Sequence, residues 1–320
     1  MVANLRSRIK PDLPGHFARE RGGSLPFTRF RLIGFAFTLA LLLATGASLA
    51  LRGLDLGLDM TGGTLLEVRS DSVIDAGTLR ARLLAQGVEG AGVQLADDGH
   101  SALLRIPPEA GRAADTATDP VERVLTPDMK IVSEAHVGSK VSAEVFRDGL
   151  TASLAAVAAI GIYIWLRFDA KFGVAAFLTT LHDVILILGL FSVTGMSFDL
   201  TSIAAMLAIA GYSINDTVIV FDRVREVLGK CRHLSVEAAI DRAITGTLSR
   251  TLMTSGTTLA ATVSLMIFGG PVLFGFAAAV TFGIVIGTYS SIFVAAPLLI
   301  HIPGQLPGRA PETGAPVDQL

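Results

Sequence analysis

Long runs of apolar residues with almost no charge restrict how this chain can fold more than any other feature. A helix that crosses the hydrocarbon core of a bilayer needs about 20 apolar residues, and 20 residues without a charge lie between Arg31 and Arg52. The longest run, 251–300, holds 50 residues whose one ionisable group is Tyr289, and a Gly-Gly-Pro sequence at 269–271 divides it. The runs predict six transmembrane helices, near residues 32–51, 149–166, 173–195, 200–221, 247–268 and 275–300.

Composition agrees with a membrane protein and excludes several other classes. Charged residues make up 17% of the chain, against about 25% in an ordinary soluble domain. The net charge of −2 argues against a nucleic-acid-binding protein, and the single cysteine, Cys231, excludes an internal disulfide. The sequence has no phosphate-binding loop and no pair of histidines with metal-ligand spacing. We therefore expect no enzyme activity, no cofactor and no bound metal.

Basic residues predict how the helices are oriented. They concentrate in 1–31, 167–171 and 223–250, whereas the turns 196–199 and 269–274 carry none. Because short cytoplasmic loops are rich in Lys and Arg, we expect the tails 1–31 and 301–320 in the cytoplasm and residues 52–148 in the periplasm. The alternative for the first helix is a cleaved secretory signal, but its 20-residue apolar run exceeds the about 7–15 residues typical of such a signal.

The predicted external segment, 52–148, has the pattern of a small folded domain. It holds 97 residues, of which 10 are basic and 16 acidic, a net charge of −6. Asp75 is placed to cap a helix that continues to Gln86, an Asp-Asp-Gly sequence at 97–99 is placed to form a turn, and residues 107–120 resemble a loop. The predicted strands are 64–68, 91–96, 101–106 and 130–137. This order suits a small α/β sandwich of the ferredoxin-like type, and a passive spacer is the alternative.

Three ionisable side chains fall inside the predicted membrane helices: His182, Asp183 and Asp216. A charged side chain at the centre of a bilayer costs about 2.5–3.5 kcal/mol on insertion scales. Such residues therefore face the interior of a helix bundle or a water path, and they need partners.

Asp216 is the strongest candidate for a functional site. It lies six residues before Asp222 at the predicted cytoplasmic end, about 9 Å along a helix, and Tyr212 and Ser213 share its helix face. Burial favours the neutral form of a carboxyl group, whereas a nearby arginine favours the carboxylate. We therefore expect Asp216 to change protonation state, as a proton relay requires. The alternative is a structural aspartate held in an ion pair.

The fifth predicted helix offers partners for Asp216. Threonines recur along it at helical spacing, at Thr247, Thr251, Thr254, Thr258 and Thr262. Arg250 stands beside the cytoplasmic end of this stripe, and together they are predicted to line a hydrated path opposite Asp216. The alternatives are helix packing for the threonines and an interfacial anchor for Arg250.

His182 and Asp183 rank below Asp216. Adjacent residues on a helix point about 100° apart, so we expect at most one of the two to face any given partner. A hydrogen bond between Asp183 and a histidine or tyrosine, serving only helix packing, is the equally plausible alternative to a functional role. The supporting polar core that we predict comprises His182, Asp183, Tyr212, Ser213, Asn215, Thr217, Thr254 and Thr258. We expect Gly211, Gly283 and Gly287 to allow close packing of helices.

The predicted cytoplasmic connection, 222–246, combines charges of both signs with an apolar strip. The strip consists of Val236, Ala239, Ile240 and Ala243. This pattern predicts an interfacial helical hairpin with a solvated face.

Seven stretches of the chain resemble a known family. They are GLDMTGGTLLEV at 57–68, VGSKVSAEVFRDGL at 137–150, RFDAKFGVAAFLTTLHD at 167–183, FDLTSIAAMLAIAGYSINDTVIVFDRVRE at 198–226, TLSRTLMTSGTTL at 247–259, FGGPVLFGF at 268–276 and GTYSSIFVAAPLLI at 287–300. By these motifs the chain resembles the SecF branch of the SecD/SecF family of bacterial protein-export membrane proteins. The family usually has a bulky hydrophobic residue, often Phe, where Met60 stands, and the tails 1–28 and 303–320 have no recognisable counterpart.

The resemblance implies partners and an energy source that the residues alone do not show. A SecF-type chain pairs with SecD in the inner membrane to form a twelve-helix unit of the resistance-nodulation-division type, of which six helices are one half. That unit associates with the SecYEG channel and often with YajC. It uses the proton gradient to complete export of unfolded polypeptides after SecA has pushed them from inside. The family's proton-path residues would fall on Asp216 and Arg250.

Two other functions stay open on the sequence. Half of a proton-driven small-molecule or lipid transporter is one, although such a pump would be expected to carry a larger external domain than 97 residues. A passive membrane scaffold is the other, and it predicts that Asp216 can be neutralised without consequence.

Overall fold

The computed structural model describes residues 24–95, 99–108 and 119–303. Its helices are α1 (Arg31–Arg52), α2 (Leu58–Thr61), α3 (Ala76–Ala85), α4 (Asp119–Glu122), α5 (Ser139–Arg167), α6 (Ala170–Thr194), α7 (Leu200–Lys230), α8 (Val236–Phe268), α9 (Gly270–Ser290) and α10 (Ala296–His301). A π-helical turn, Ser291–Ala295, joins α9 to α10. In the described ranges, six helical stretches are long and apolar enough to cross a membrane, which confirms the six predicted membrane helices.

Three of the membrane helices extend past the apolar runs that predicted them. α5 begins at Ser139 rather than near residue 149, directly after the last strand of the α/β domain. α7 continues to Lys230, and α8 begins at Val236. Polar residues at a helix end leave no apolar run, so hydropathy marks only the part of a helix that is suited to lipid.

The apolar strip of the predicted hairpin at 222–246 is buried apart from Val236, which is half-buried. Ala239 and Ile240 have no exposed surface, and they belong to the same apolar cluster as Phe221 and Val224. Since α7 and α8 run on beyond their apolar cores, their ends pack against each other, and this contact excludes solvent from the strip.

Buried Asp241, which the sequence placed on the solvated hairpin, holds the start of the described chain against α8. One carboxylate oxygen accepts a hydrogen bond from the Thr28 backbone N–H at 2.8 Å, and the other accepts one from the Thr28 hydroxyl at 3.0 Å. The charge signs along 222–246 gave no indication of this long-range contact.

The segment between α1 and α5 folds as an α/β domain. Its strands are β1 (Gly63–Ser70), β2 (Gly92–Leu95), β3 (Ser101–Ile106) and β4 (Met129–Val137). The sheet order is β2-β3-β1-β4 with antiparallel pairs throughout, which agrees with the predicted ferredoxin-like sandwich. Asp75 caps α3 as predicted, accepting from the Gly77 and Thr78 N–H groups. Of the predicted turn and loop, residues 97–98 and 109–118 lie outside the described residues.

A glycine pair connects this domain to the helices. Gly62 and Gly63 both adopt positive φ, 75° and 120°, a region that favours glycine. A Cβ on Gly63 would lie 2.2 Å from the Ile106 carbonyl oxygen, so β1 can approach β3 there only without a side chain. Arg105 on β3 pairs with Asp55, which gives the connection a second contact.

The helix bundle consists of two apolar clusters with polar side chains between them. The cluster nearer the α/β domain includes Phe191 and Ile209, and the cluster at the opposite end includes Phe172 and Phe221. Along α6 and α7 the residues between these clusters include the buried polar groups that the sequence singled out. Apolar side chains therefore pack on both sides of these polar groups.

Two of the three glycines predicted to permit close helix packing do so. A Cβ on Gly283 would meet Ile209 atoms at 2.4–2.7 Å, and one on Gly287 would lie 3.2 Å from the Ser213 Cβ. A Cβ on Gly211 would meet nothing within 4 Å. Because α9 lies against α7 at the first two glycines, the backbones that carry the polar layer are held close together.

One prediction concerns Asp128, beside β4. Hydrogen bonds from the Ser72 hydroxyl, and then from Thr126, its own backbone N–H and Ser70, lower the pKa of Asp128 from 3.8 to about 2. A depressed carboxyl pKa stabilises the fold above the unfolded value, and this stabilisation is lost as pH falls from about 4 to about 2. Asp128→Asn is expected to speed hydrogen exchange of the β4 amides at pH 5 and to weaken its pH dependence below pH 4. The nearby Asp71→Asn is the control, and equal effects of both changes would contradict this account.

Candidate functional site

Asp216 lies in the middle of α7 with both carboxyl oxygens bonded to hydroxyl groups. The residue is 5% exposed. The Thr251 hydroxyl on α8 donates to Oδ1 at 2.8 Å, and the Ser291 hydroxyl, at the start of the π-helical turn, donates to Oδ2 at 2.7 Å. Three helical segments therefore meet at this carboxyl.

His182 and Asp183 form a second buried group on α6. Asp183 has no exposed surface. Its Oδ1 lies 2.9 Å from His182 Nδ1, and its Oδ2 accepts from the Ser213 hydroxyl and from the Ser290 hydroxyl at 2.9 Å. The predicted hydrogen bond between an aspartate and a histidine is thus present, and it joins the two adjacent residues to each other.

Adjacent serines link the two carboxyl groups. Ser290 bonds Asp183 and Ser291 bonds Asp216. They stand where α9 passes into the π-helical turn, and π-helical turns within α-helices are frequent at functional sites. The sequence interpretation quoted these serines in a matching motif but gave them no role, because two serines in an apolar helix are ordinary packing residues when their neighbours are unknown.

A third set of hydroxyls continues the polar layer toward α8. Tyr212 donates to the Ser255 hydroxyl at 3.1 Å, and the Ser255 and Thr288 hydroxyls lie 2.7 Å apart. The predicted threonine stripe omitted Ser255, which stands one helical turn after Thr251 and is buried. A search for all hydroxyl residues at that spacing, rather than for threonine alone, would have found it.

The other predicted members of the polar core divide between the inside and the outside of the bundle. Thr217 is 2% exposed, whereas Asn215 and Thr254 are exposed and Thr258 is half-buried. Thr254 and Thr258 donate to carbonyl oxygens of their own helix. Asn215, Thr254 and Thr258 are therefore not hydrogen-bond partners of Asp216 in the single chain.

Arg250 does not face Asp216, contrary to the predicted arrangement. Its side chain is exposed, and no ion pair joins it to Asp216 in the part of the chain that the structure describes. The reason is helical geometry: Thr251 points at Asp216, and the residue before it points about 100° away. Arg250 lies on the uncovered side of α8 together with Thr254.

Hydroxyl partners suit a carboxyl that changes protonation state. A hydroxyl donates to a carboxylate and, after rotating, accepts from a carboxylic acid, whereas a guanidinium can only donate. A charge at the bilayer centre costs about 2.5–3.5 kcal/mol, and each hydrogen bond to a charged group contributes about 1.5–3 kcal/mol. The two bonds to Asp216 are thus comparable in size to the cost of placing a charge there. No cluster of three or more possible metal ligands occurs in the ranges described.

Two family models match the chain. Residues 117–305 match the C-terminal part of protein export membrane protein SecD/SecF, and residues 47–72, which contain the glycine pair, match the SecD/SecF GG motif.

Curated relatives of similar length carry one name. The chain is 38% identical over 283 residues to the protein translocase subunit SecF of Pseudomonas aeruginosa, covering 88% of this chain and 92% of the relative. It is 37% identical over 281 residues to the protein of the same name from Cereibacter sphaeroides, covering 84% and 87%.

Two solved structures resemble the fold. A crystal structure of SecDF, a translocon-associated membrane protein from Thermus thermophilus, matches with a TM-score of 0.78 and 35% identity. A crystal structure of SecDF in a super-membrane-facing form matches with a TM-score of 0.61 and 32% identity. The matches cover 87% and 88% of this chain but only 38% and 39% of those chains, so the chain spans well under half of each SecDF chain.

Proposed function

The chain belongs to the SecD/SecF family of protein-export membrane proteins, and from this premise we propose that it couples the Sec accessory role to the proton gradient through Asp216. The observation that carries the proposal is a nearly unexposed carboxyl whose partners are hydroxyl groups. Such a carboxyl can bind and release a proton without the loss of an ion pair.

SecD is the partner that completes the site. The solved SecDF chains are more than twice as long as the part that this chain matches, which supports a second half built from SecD. The exposed side of α8 carries Arg250 and Thr254, and the exposed side of α7 carries Asn215. Polar groups within membrane helices face protein or water rather than lipid, so these side chains support a SecD helix at this surface.

The remaining partners and the orientation follow from the same proposal. Both termini lie in the cytoplasm, as the basic loops predict, and the α/β domain lies in the periplasm, where it handles emerging unfolded polypeptide. The unit associates with the SecYEG channel and with YajC, and it acts after SecA, without chemistry of its own.

A passive scaffold and a small-molecule or lipid transporter are the competing functions. The deciding experiment uses vesicles that contain SecYEG, SecA, SecD and this chain, with a preprotein substrate and an imposed proton gradient. We expect the gradient to stimulate export only when the chain is present. Equal stimulation without the chain would contradict the proposal and would favour the scaffold or transporter.

Arg250 provides a second prediction at this site. Arg250→Ala removes the positive charge from the α8 surface at which we propose a SecD helix, and it is expected to lower gradient-stimulated export about tenfold, the effect of losing one charge-assisted hydrogen bond to SecD worth about 1.5 kcal/mol. Arg250→Lys keeps the charge and is expected to lose less. Export should be measured together with the amount of SecD that co-purifies. Export at the wild-type level by the Arg250→Ala variant would contradict this prediction and would favour the alternative role of Arg250 as an interfacial anchor.

A further inference from the structure

His182 contains the one buried side-chain nitrogen or oxygen, in the described residues, that has no hydrogen-bond partner: Nε2. The residue is 6% exposed and lies between the apolar clusters of the bundle. A buried polar atom without a partner destabilises the folded protein. Packing alone does not explain a histidine at this position, because a residue without the second nitrogen would avoid that cost.

We propose that His182 and Asp183 form a second proton-binding site, which takes up its proton at His182 Nε2 and is coupled to Asp216 through Ser290 and Ser291. The coupling rests on the proposed function of Asp216, whereas proton binding at Nε2 does not.

The hydrogen bonds decide where the proton binds. The Asp183 carboxyl receives the Ser213 and Ser290 hydroxyls on Oδ2 and the His182 ring on Oδ1. The two hydroxyl donors suit a carboxylate, and the ring tautomer that donates from Nδ1 adds a third hydrogen bond to it. With Nδ1 donating and Nε2 bare, the pair holds one imidazole proton and a net charge of −1. A proton added at Nε2 gives an imidazolium and a carboxylate, with a net charge of zero.

The surroundings contain few other charges that could neutralise this pair. α1 carries no ionisable residue between Arg31 and Arg52. Other ionisable side chains on the helices packed against α6 have contacts elsewhere or lie outside the bundle interior. They include Tyr163 on α5, which is exposed; Tyr212 on α7, which donates to Ser255; Tyr289 on α9, which donates to the Gly34 carbonyl; and His301 on α10, which packs on Phe35. Apart from Asp216, the charged residues of α5 and α7 lie toward the ends of those helices, where Arg167 pairs with Asp222 and Arg225 pairs with Asp169 before α6. On α6 itself, Lys171 stands at the far end, in the first turn. Among these groups Asp216 is the buried acid, and it reaches the pair through the two serines.

Each serine has two acceptors for its single hydroxyl hydrogen. Ser290 reaches Asp183 at 2.9 Å and the Gly287 carbonyl at 3.2 Å. Ser291 reaches Asp216 at 2.7 Å and the Thr288 carbonyl at 3.0 Å. When a carboxyl is neutralised, its serine can turn to the carbonyl of its own helix. Because the serines are adjacent at the π-helical turn, a shift of this segment changes both carboxyl sites together.

The test is a solid-state NMR titration of ¹⁵N-labelled histidine in the complex with SecD, reconstituted in lipid. The chain has six histidines, and His182→Gln identifies the His182 signals. If that variant does not assemble, the dipolar contact between the ring and a ¹³C-labelled Asp183 carboxyl identifies them instead. We expect Nε2 to become protonated within the range of about pH 5–8 that is open to histidine. A ring that stays in one tautomer throughout that range would overturn the proposal.

Two variants test the coupling. Asp216→Asn changes the acceptor of the Ser291 hydroxyl, so the pH midpoint of His182 protonation is expected to differ from that of the wild type. Thr179→Val on α6 is the matched control, since Thr179 is buried but bonds only its own helix, and it should leave the midpoint unchanged. An equal midpoint in wild type and Asp216→Asn would overturn the coupling.

The failure of this inference differs from the failure of the proposed function. If Asp216→Asn abolishes gradient-stimulated export while His182 never titrates, only the second site is wrong. If His182 titrates while Asp216→Asn exports normally with the gradient, the second site stands and the role proposed for Asp216 is wrong.

Discussion

Asp216→Asn is expected to abolish the stimulation of export by the proton gradient while the chain still assembles with SecD. The amide has the shape of the carboxyl, and its oxygen can still accept a hydroxyl hydrogen bond. It cannot bind and release a proton. Export measured without a gradient should be unchanged, so the ratio of export with and without the gradient falls to about one.

Asp222→Asn is the matched control for this change. Asp222 stands on the same helix, is largely exposed and pairs with Arg167 at 3.8 Å. Exposed ion pairs contribute little to stability, about 0–1 kcal/mol, so this variant should keep wild-type stimulation. Loss of stimulation in both variants, or in neither, would contradict a specific role for the buried carboxyl.

Gly283→Ala is expected to produce the largest loss of stability among small changes in the bundle. The new Cβ would lie 2.4–2.7 Å from three atoms of Ile209, including both branches of a side chain that is stiff at χ1. Since Ile209 is 1% exposed, it has no space into which to turn. We expect a loss of about 1–3 kcal/mol, typical of an overpacked core, seen as a lower unfolding temperature in detergent.

Two further variants show whether the clash is the cause. Gly211→Ala lies on α7 in open space and should leave stability nearly unchanged or raise it slightly. Ile209→Ala combined with Gly283→Ala removes the clashing atoms, so the double variant should lose less than the sum of the single variants. Additive losses would mean that the two residues do not interact.

The sequence predicts those features that depend on periodicity along one element. Six apolar runs gave the six membrane helices, and the Asp75 cap and the succession of strands and helix along the α/β domain followed from local patterns. These predictions succeed because hydropathy, capping and alternation act within a helix or a strand.

The contacts between helices could not be predicted in the same way. Ser291 and Ser290, which bond Asp216 and Asp183, lie on a helical segment distant in sequence from both acids. No pattern within one sequence identifies which helix lies beside which. Arg250 was expected to lie opposite Asp216 and does not, because a residue adjacent to Thr251 points to another side of α8. Asp241 was missed because its partner, Thr28, lies 213 residues away.

The central claim is that Asp216 changes protonation state while the protein works. The most direct measurement is infrared difference spectroscopy of the lipid-reconstituted complex with SecD, with ¹³C-labelled aspartate and with Asp216→Asn as the reference. We predict a carboxylic acid C=O band that appears and disappears as the gradient is imposed and collapsed, and that is absent from the variant. A wild-type spectrum with no such band, or with one that the gradient leaves unchanged, would contradict the claim.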